Sequence, residues 1–402
     1  MTIRRRPEAF VVDERLGPAF FGELATERTD AAAHAAFRLT KTSLTTPEAA
    51  TRLAKALKIK AGLVARAGLK DKHALTTQHV TAPLAPDAPT PDAELSGPGW
   101  KAVFLGWSPR PVEAADIEAN AFAIEVTALT RDEIKEMDRR AWLLLAGSSL
   151  AIANYYGDQR FGSARHGEGF AGARLVRGDY EEALKLLVGA PARKDTGSRR
   201  TLTRACASSW GEWKKIVRET PACAERASIE VLAEGGSFRD AFAALPHLVQ
   251  SLCVEAYQSW LWNAIVREMI AGIEPDSTLR TDDDFGEMLF PASEAVPEPW
   301  RTLEIPLPSP ETKPQGLWGK AATNVMKREG IWFDTLKLPG LRRPTFADSQ
   351  RRMFALAADF TMSPPARDEE APPKSPKAWK RWVTFSLPRG AFATTVLRAL
   401  GQ

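Results

Sequence analysis

The chain has 402 residues, of which 44% are hydrophobic and 26% are charged. This balance is typical of a soluble globular protein and excludes a disordered or fibrous chain, and the length favours two or three domains. The 54 basic and 50 acidic side chains leave a net charge of +4, which permits a nucleic-acid partner without requiring one.

The amino-terminal part of the chain is predicted to form a helix, a loop and then a strand. Thr45 and Glu48 match the N-cap and the acid of a capping box, and apolar residues recur at helical spacing as far as Leu57. A loop that contains glycines follows, and the threonine-rich stretch 76–81 favours a strand. Asp71 therefore lies at a predicted junction between a loop and a strand.

Further elements are predicted from alternation, helical spacing and turn residues. The predicted strands lie at 102–107, 122–127 and 382–387, and the predicted helices lie at 131–153, 181–188, 228–232 and 245–269. Helical patterns predominate from about residue 165 onward, where tryptophan also becomes frequent. This order indicates an α+β domain that is interrupted by a largely helical insertion.

Several classes of protein are excluded by what the sequence lacks. No apolar stretch approaches the roughly 20 residues of a membrane span, and the start of the chain has no apolar signal core, so we expect a cytoplasmic protein without a membrane partner. The three cysteines form no Cys-x-x-Cys pair. A phosphate loop, a dinucleotide fingerprint and a His-Glu-x-x-His motif are all absent, so we expect neither a metal nor a cofactor.

One candidate for chemistry is an aspartate between two lysines, Lys70-Asp71-Lys72. The lysines would favour the ionised carboxylate that a nucleophile or general base requires at neutral pH. The same pattern is also typical of a solvent-exposed loop. The surrounding region is basic, and it either follows a phosphate backbone or forms a solvated surface. Its basic residues are Arg4, Arg5, Arg6, Lys55, Lys58, Lys60, Arg66, Lys70 and Lys72.

A second candidate is the stretch 154–162, Asn-Tyr-Tyr-Gly-Asp-Gln-Arg-Phe-Gly. Its aromatic rings could stack on a base, an amide could bond the Watson–Crick edge, and Arg160 could contact a phosphate. The alternative is a structural loop whose rings fill the core beneath it.

These two segments resemble the hallmark motifs of the TruD family of tRNA pseudouridine synthases, Ala-Gly-x-Lys-Asp-x-x-Ala-x-Thr and Asn-Tyr-Phe-Gly-x-Gln-Arg-Phe-Gly. Other segments that match the family follow in the family's order, and they are Pro7–Glu14, His34–Lys41, Asn120–Phe122, Ala256–Asn263 and Leu387–Arg398. The resemblance implies a pseudouridine-synthase core, a mixed or antiparallel sheet with helices, built from residues 1–164 and 338–402. It implies a largely helical insertion domain at 165–337.

The resemblance also implies roles for individual residues. Asp71 falls on the family's catalytic aspartate. Together with the composition of the second motif, the resemblance implies substrate contacts by Arg4, Phe10, Lys70, Asn154, Tyr156, Arg160 and Phe392. At position 156 the family usually has phenylalanine, so this tyrosine keeps the ring face and adds a hydroxyl.

The implied activity is the conversion of a uridine in tRNA, uridine 13 as the family's usual target, to pseudouridine without a cofactor. One carboxylate could attack C1′, attack C6 of the ring or remove the C2′ proton, and the sequence does not choose among these routes. Two other functions stay open. One is a non-catalytic RNA-binding or tRNA-folding protein on the same scaffold, and the other is a glycosidic hydrolase, which would usually need a second catalytic carboxylate.

Overall fold

The computed structural model describes residues 3, 5–164, 166–338, 340–341 and 343–402 of the chain. The chain forms two compact units, one of residues 1–152 with 355–402 and one of residues 153–354. The predicted insertion, 165–337, falls within the second unit, and its assignment as a domain stays a prediction.

The described residues include both strands and helices in quantity. In chain order the strands are β1 (Phe10–Leu16), β2 (His34–Thr42), β3 (Ala65–Arg66), β4 (Leu75–Pro83), β5 (Glu94–Gly97), β6 (Trp100–Ser108), β7 (Ile117–Leu129), β8 (Leu145–Ala146), β9 (Ser149–Ala153), β10 (Thr278–Thr281), β11 (Met288–Pro291), β12 (Glu304–Pro306), β13 (Gln350–Arg352), β14 (Phe354–Met362), β15 (Ala366–Arg367) and β16 (Trp379–Pro388). The helices are α1 (Pro18–Gly22), α2 (Thr46–Ala56), α3 (Arg131–Leu144), α4 (Ala171–Val176), α5 (Tyr180–Val188), α6 (Gly197–Ser209), α7 (Trp213–Glu219), α8 (Arg226–Ala233), α9 (Phe238–Ala243), α10 (His247–Ile270), α11 (Gly316–Arg328) and α12 (Ala393–Ala399).

The first unit is built on one mixed sheet, which joins twelve of the described strands. Its order is β5-β6-β2-β4-β1-β7-β16-β14-β9-β8, with β3 beside β4 and β15 beside β16. Strand β1 runs parallel to β4, with Val11 opposite Leu75, and antiparallel to β7, with Glu14 opposite Asn120. Since β7 also pairs with β16, strands from the first and last parts of the chain lie on either side of β7 in the middle of the sheet.

Helix α2 covers this sheet beside the segment that contains Asp71. As predicted, the Thr45 hydroxyl accepts a bond from the Glu48 amide (3.2 Å), while the Glu48 carboxylate accepts one from the Thr45 amide (2.6 Å). Leu53 is fully buried in a core that also contains Phe37 of β2 and Val80 of β4. Burial of one such leucine stabilises the fold by about 1.5–3 kcal/mol, which holds α2 against the sheet.

The helix predicted at 131–153 is wrong in its last third. Helix α3 ends at Leu144, and the chain continues as the short hairpin of β8 and β9. The turn of this hairpin contains Gly147, whose φ is +66°. Four of the five residues of β9 are buried. A short, fully buried apolar run fits a helix and a central strand equally well, and pairing within the sheet decides between them.

The second unit is dominated by helices, and its longest helix is α10. Most residues of α10 are buried, and the buried residues lie on every side of the helix, as expected of a helix in the middle of a helical unit. The helices predicted at 181–188, 228–232 and 245–269 are confirmed as α5, α8 and α10. In the part of the chain that the structure describes, no helix combines the length and the apolar character that crossing a membrane requires.

Candidate active site

Asp71 lies in residues 67–74, the Asp71 segment, which links β3 to β4 without regular secondary structure. Its side chain is half-buried, whereas Lys72 is exposed. Because β4 lies between β1 and β2, the segment ends at the middle of the sheet.

Lys41, near the end of β2, holds the backbone of this segment. Its ammonium Nζ donates hydrogen bonds to the carbonyl oxygens of Asp71 (2.7 Å), Lys70 (3.3 Å) and Leu44 (2.8 Å). Hydrogen bonds from a charged donor are roughly twice as strong as neutral ones. Lys41 is only 1% exposed, and this burial lowers its pKa to about 8 although the nearby Asp71 and Glu48 carboxylates oppose the shift.

The start of α2 fixes the segment from a second direction. The Thr46 hydroxyl accepts a bond from the Lys70 amide (2.9 Å) and donates to Oε1 of Gln78 (2.8 Å). Gln78 in turn donates to the carbonyl of Gly68 (3.4 Å). Thr46 and Gln78 are both buried, so these bonds are shielded from water.

The Lys70 side chain turns into the sheet. Its ammonium lies 2.7 Å from Oε2 of Glu14 and donates to Oδ1 of Asn120 (2.8 Å). Burial alone would raise the pKa of Glu14, but hydrogen bonds from His79 and the charge of Lys70 outweigh burial and lower that pKa below its usual value. Lys70 thus forms a buried ion pair, and its direct contact with substrate stays a prediction.

The other basic residues of this region are mostly at the surface. Arg5 pairs with Asp368, and Arg6 pairs with Glu125. The exposed residues of the group are Arg5, Arg6, Lys55, Lys58, Lys60, Arg66 and Lys72. Lys70 does not share this exposure, and Arg4 lies outside the described residues.

Two predicted substrate contacts are aromatic residues of the first unit. Phe10 is 2% exposed and packs edge to face against Phe122, with ring centroids 6.4 Å apart. Phe392 is half-buried at the N-cap of α12, two residues after Gly390, whose φ is +84°. Phe10 therefore contributes to the core, while Phe392 keeps part of its ring accessible.

Asn154 begins the second motif, residues 154–162, which we call the Asn154 segment. The side-chain oxygen and the backbone carbonyl of Asn154 both accept hydrogen bonds from Arg351, at 2.7 and 2.8 Å. The side-chain nitrogen of Asn154 donates to the carbonyl of Arg352 (3.0 Å). Burial lowers the pKa of Arg351 to about 10. The oxygen and the nitrogen of the Asn154 side-chain amide therefore both form bonds that hold the Asn154 segment in place.

Tyr156 is held through its backbone and its ring. Asn263 bonds to both sides of its backbone, accepting from the amide (2.9 Å) and donating to the carbonyl (3.0 Å). The half-buried ring meets Trp262 edge to face at 5.8 Å, and the Arg351 guanidinium lies 4.1 Å from the ring centroid. These contacts fix the plane of the ring.

Arg160 lies 5.6 Å from the same ring, measured from its Cζ. Its Nε donates to the Ser259 hydroxyl (3.1 Å), and its Nη1 lies 2.9 Å from the Glu255 carboxylate. Glu255 therefore already offsets part of the charge that a phosphate contact would use.

Sequence reasoning assigned no role to Lys41, Glu14, Asn120 or Arg351. The first three lie in segments that match the family, so the motif match was a signal that they matter. Arg351 lies outside every matching segment, and only the folded chain brings it to Tyr156.

The predicted site residues divide between the two units. Phe10, Lys70, Asp71 and Phe392 belong to the first, whereas Asn154, Tyr156 and Arg160 belong to the second. Among the described residues, no group of three or more His, Cys, Asp or Glu side chains is placed to hold a metal ion.

Comparison with known proteins identifies the family. The model of the family tRNA pseudouridine synthase D (TruD) matches residues 1–400. The tRNA pseudouridine synthase D of Aquifex aeolicus is 29% identical, over 99% of this chain and 97% of the relative. A protein of Methanopyrus kandleri described as a probable tRNA pseudouridine synthase D is 30% identical, over 91% and 85% of the two chains.

The fold comparison agrees with the predicted α+β class. A solved structure from Methanosarcina mazei, described as tRNA pseudouridine synthase D (TruD), superposes with a TM-score of 0.71 at 23% identity and covers 99% of this chain and 92% of that one. The resemblance and the fold class predicted from the sequence are both confirmed. The chain belongs to the TruD family of tRNA pseudouridine synthases, which are isomerases that act on RNA.

Proposed function

We propose that this enzyme converts a uridine of tRNA to pseudouridine, with Asp71 as its catalytic carboxylate and without a cofactor. The observation that carries the proposal is the anchoring of Asp71, whose carbonyl and that of Lys70 both bond to the buried ammonium of Lys41. Such anchoring fixes the backbone from which the Asp71 side chain extends, as a preorganised catalytic group requires. The family match over residues 1–400 supports the substrate class.

The chemistry needs little beyond one carboxylate. The N1–C1′ bond of the uridine breaks, the base turns, C5 bonds to C1′, and the C5 proton is lost while N1 gains one. No atom is gained and no electron is transferred overall, so neither an oxidant nor an activated donor is consumed. Attack on C1′, attack on C6 and removal of the C2′ proton all begin from a carboxylate such as Asp71.

The aromatic contacts are proposed to hold the base while it is detached. A base that reacts in this way must leave its stack and be gripped between side chains. Tyr156 suits this role because Trp262 and Arg351 fix its ring plane. Phe10, Phe392, Asn154, Arg160 and Lys70 stay proposed substrate contacts on the strength of the family resemblance.

The organisation of the chain is proposed to follow the family. Residues 1–164 and 338–402 would form the catalytic domain, and residues 165–337 the insertion domain. The second compact unit begins at residue 153 and ends at residue 354, which supports a discontinuous first domain with slightly different limits.

The proposal is tested by Asp71→Asn, which keeps the shape of the side chain and removes its charge. We expect pseudouridine formation in a single turnover to be abolished, while equilibrium binding of tRNA at the same salt concentration stays within about twofold of the wild type, because phosphate contacts supply most of the affinity. Asp87→Asn, an exposed aspartate between β4 and β5, is the matched control. Substantial conversion by Asp71→Asn would overturn the proposal.

The same assay separates the alternative functions. A non-catalytic RNA-binding protein would bind tRNA without converting it even as the wild type, and a hydrolase would release free uracil. Mapping pseudouridine along the converted tRNA then tests the proposed target, uridine 13.

A further inference from the structure

The second unit contains an open cleft of about 800 Å³ that the proposed chemistry does not use. This volume is in the range of sites that take one small organic ligand. Aromatic side chains form the cleft's inner surface, namely Phe170, Tyr257, Trp260 and Phe285. Charged side chains also line it, namely Glu168, Arg174, Arg177, Asp284 and Glu329.

The aromatic surface is preformed. The rings of Tyr257 and Trp260 are stacked, with centroids 5.9 Å apart and planes 13° apart, and the Trp260 indole donates to the carbonyl of Phe285 (3.0 Å). Phe170 lies 5.7 Å from Trp260 and 5.9 Å from Phe285. Tyr257 is buried, while the other three rings stay partly accessible. A ligand that stacks here meets rings that need little further ordering.

A close approach of α4 to α10 brings the arginines to this surface. A Cβ atom at Gly172 would lie 2.8 Å from both the Cys253 carbonyl oxygen and the Tyr257 Cβ, so only glycine permits the contact. Arg174 follows on α4, and Arg177 caps the helix. The two arginines are therefore placed by the packing of the helices.

The two arginines differ in what they already bind. Arg177 donates to the carbonyl of Glu329 (2.9 Å) and lies 3.6 Å from the Glu329 carboxylate, so its charge is largely offset. Arg174 is exposed, and its side chain makes no hydrogen bond or ion pair with any described residue. Glu168 and Asp284 are exposed acids, and an ionised carboxylate accepts hydrogen bonds from the N–H groups on the edge of a base.

We propose that this cleft binds one unpaired nucleotide of the RNA substrate, distinct from the uridine that reacts. The base stacks on the aromatic surface, the Glu168 and Asp284 carboxylates accept its N–H groups, and Arg174 binds the adjoining phosphate. Stacking on protein rings and phosphate contacts to arginine are the two main sources of affinity for single-stranded RNA. The inference rests on the proposed function only for the identity of the ligand as RNA.

An organic cation is the competing occupant, since aromatic rings and carboxylates also bind quaternary ammonium groups. Arg174 disfavours it, because this cationic side chain has no partner among the described residues and lines the same cleft. Tetramethylammonium chloride serves as the probe. At matched ionic strength, saturable binding of this cation to the wild type that is lost in Phe170→Leu, together with an RNA affinity that Phe170→Leu leaves unchanged, would overturn the proposal in favour of a cation site.

The test uses Phe170→Leu, which removes a ring and keeps apolar volume, and Arg174→Ala, which removes no hydrogen bond or ion pair with the described residues. Equilibrium binding of tRNA is measured over a series of salt concentrations, and thermal unfolding checks the fold. Phe170→Leu should weaken binding about five- to a hundredfold with an unchanged salt slope. Arg174→Ala should instead reduce the slope of log K against log salt by about 0.7.

Phe238→Leu, a half-buried ring on α9, and Arg204→Ala, an exposed arginine on α6, are the matched controls and should bind as the wild type does. Folded cleft variants that bind RNA as the controls do would overturn the proposal. If the wild type makes pseudouridine and the cleft variants bind tRNA as the wild type does, the cleft proposal alone fails. If the wild type makes no pseudouridine but the cleft variants bind tRNA more weakly than the wild type does, the proposed function alone fails.

Discussion

In the Asp71 segment the chain is held by buried ammonium groups, whereas in the Asn154 segment it is held by amides, packed rings and the Arg351 guanidinium. Lys41 bonds to backbone carbonyls and Lys70 pairs with Glu14, and both lysines are nearly inaccessible to water. Around Tyr156, Asn263 bonds to the backbone and Trp262 packs against the ring. The strength of a charged anchor depends on its ionic partners and on pH, while the contribution of a packed ring depends on the area of its face. The two segments should therefore respond differently to substitution.

The largest effect is expected from breaking the buried pair with Glu14→Gln. Glutamine keeps the volume and can still accept the His79 amide, but it leaves the Lys70 ammonium without its counter-charge. The free energy of unfolding should fall by about 3–5 kcal/mol, as is typical when one partner of a buried pair is removed. Urea unfolding measures it.

Glu94→Gln provides the control, because Glu94 pairs with Lys101 at the exposed edge of the sheet. Its cost should stay below about 1 kcal/mol. Equal effects of the two substitutions would show that the Asp71 segment does not depend on buried charge.

The next effect is expected from Lys41→Met, which leaves the carbonyls of Leu44, Lys70 and Asp71 without this donor. A lost bond of this kind costs about 1–3 kcal/mol, so the single-turnover rate should fall by roughly tenfold to a hundredfold while tRNA affinity is kept. Lys55→Met, on the exposed face of α2, is the control. A variant with the wild-type rate would separate the anchor from the chemistry.

A comparable loss is expected at Tyr156, but with a different dependence on the substituent. Tyr156→Ala removes the ring face, and stacking on one ring contributes about 1–3 kcal/mol, so conversion should slow or binding should weaken by roughly tenfold to a hundredfold. Tyr156→Phe keeps the face and should keep most activity. The reverse order of the two variants would make the hydroxyl the functional group.

The smallest effect on the reaction rate is expected from a change of pH, through Lys41, which holds the Asp71 segment. Burial lowers the pKa of Lys41 from 10.5 to about 8, so the folded chain releases a proton that the unfolded chain retains between these values. The difference in unfolding free energy between wild type and Lys41→Met should therefore move in favour of the wild type as pH rises through this window. Over the same range the wild-type rate should fall, because a neutral amine is a weaker donor.

Both quantities are read from parallel pH series of rate and urea unfolding on the two proteins. If the wild-type and Lys41→Met rates changed in parallel with pH above 8, the titration of Lys41 could not be the cause of the fall in the wild-type rate.

Local signals in the sequence predicted local structure well. The helix that begins after Thr45 was predicted from its capping box, which satisfies amide groups within a single turn. The end of α3 was missed because the buried residues 149–153 lie in the sheet beside β14, a strand that comes much later in the sequence. The TruD motifs identified Asp71 as the candidate catalytic residue and included Lys41 and Glu14, but they did not show which groups these residues bind.

By itself the sequence determined the family, the fold class and the order of most elements, because caps, spacing and short motifs act between residues close together in the chain. Only the tertiary structure decided how the candidate site is supported. Lys41 reaches Asp71 across 30 residues and Lys70 reaches Asn120 across 50, and both distances are closed by the pairing of β1, β2, β4 and β7. The register of a sheet depends on all of its strands together, so no local pattern contains these contacts.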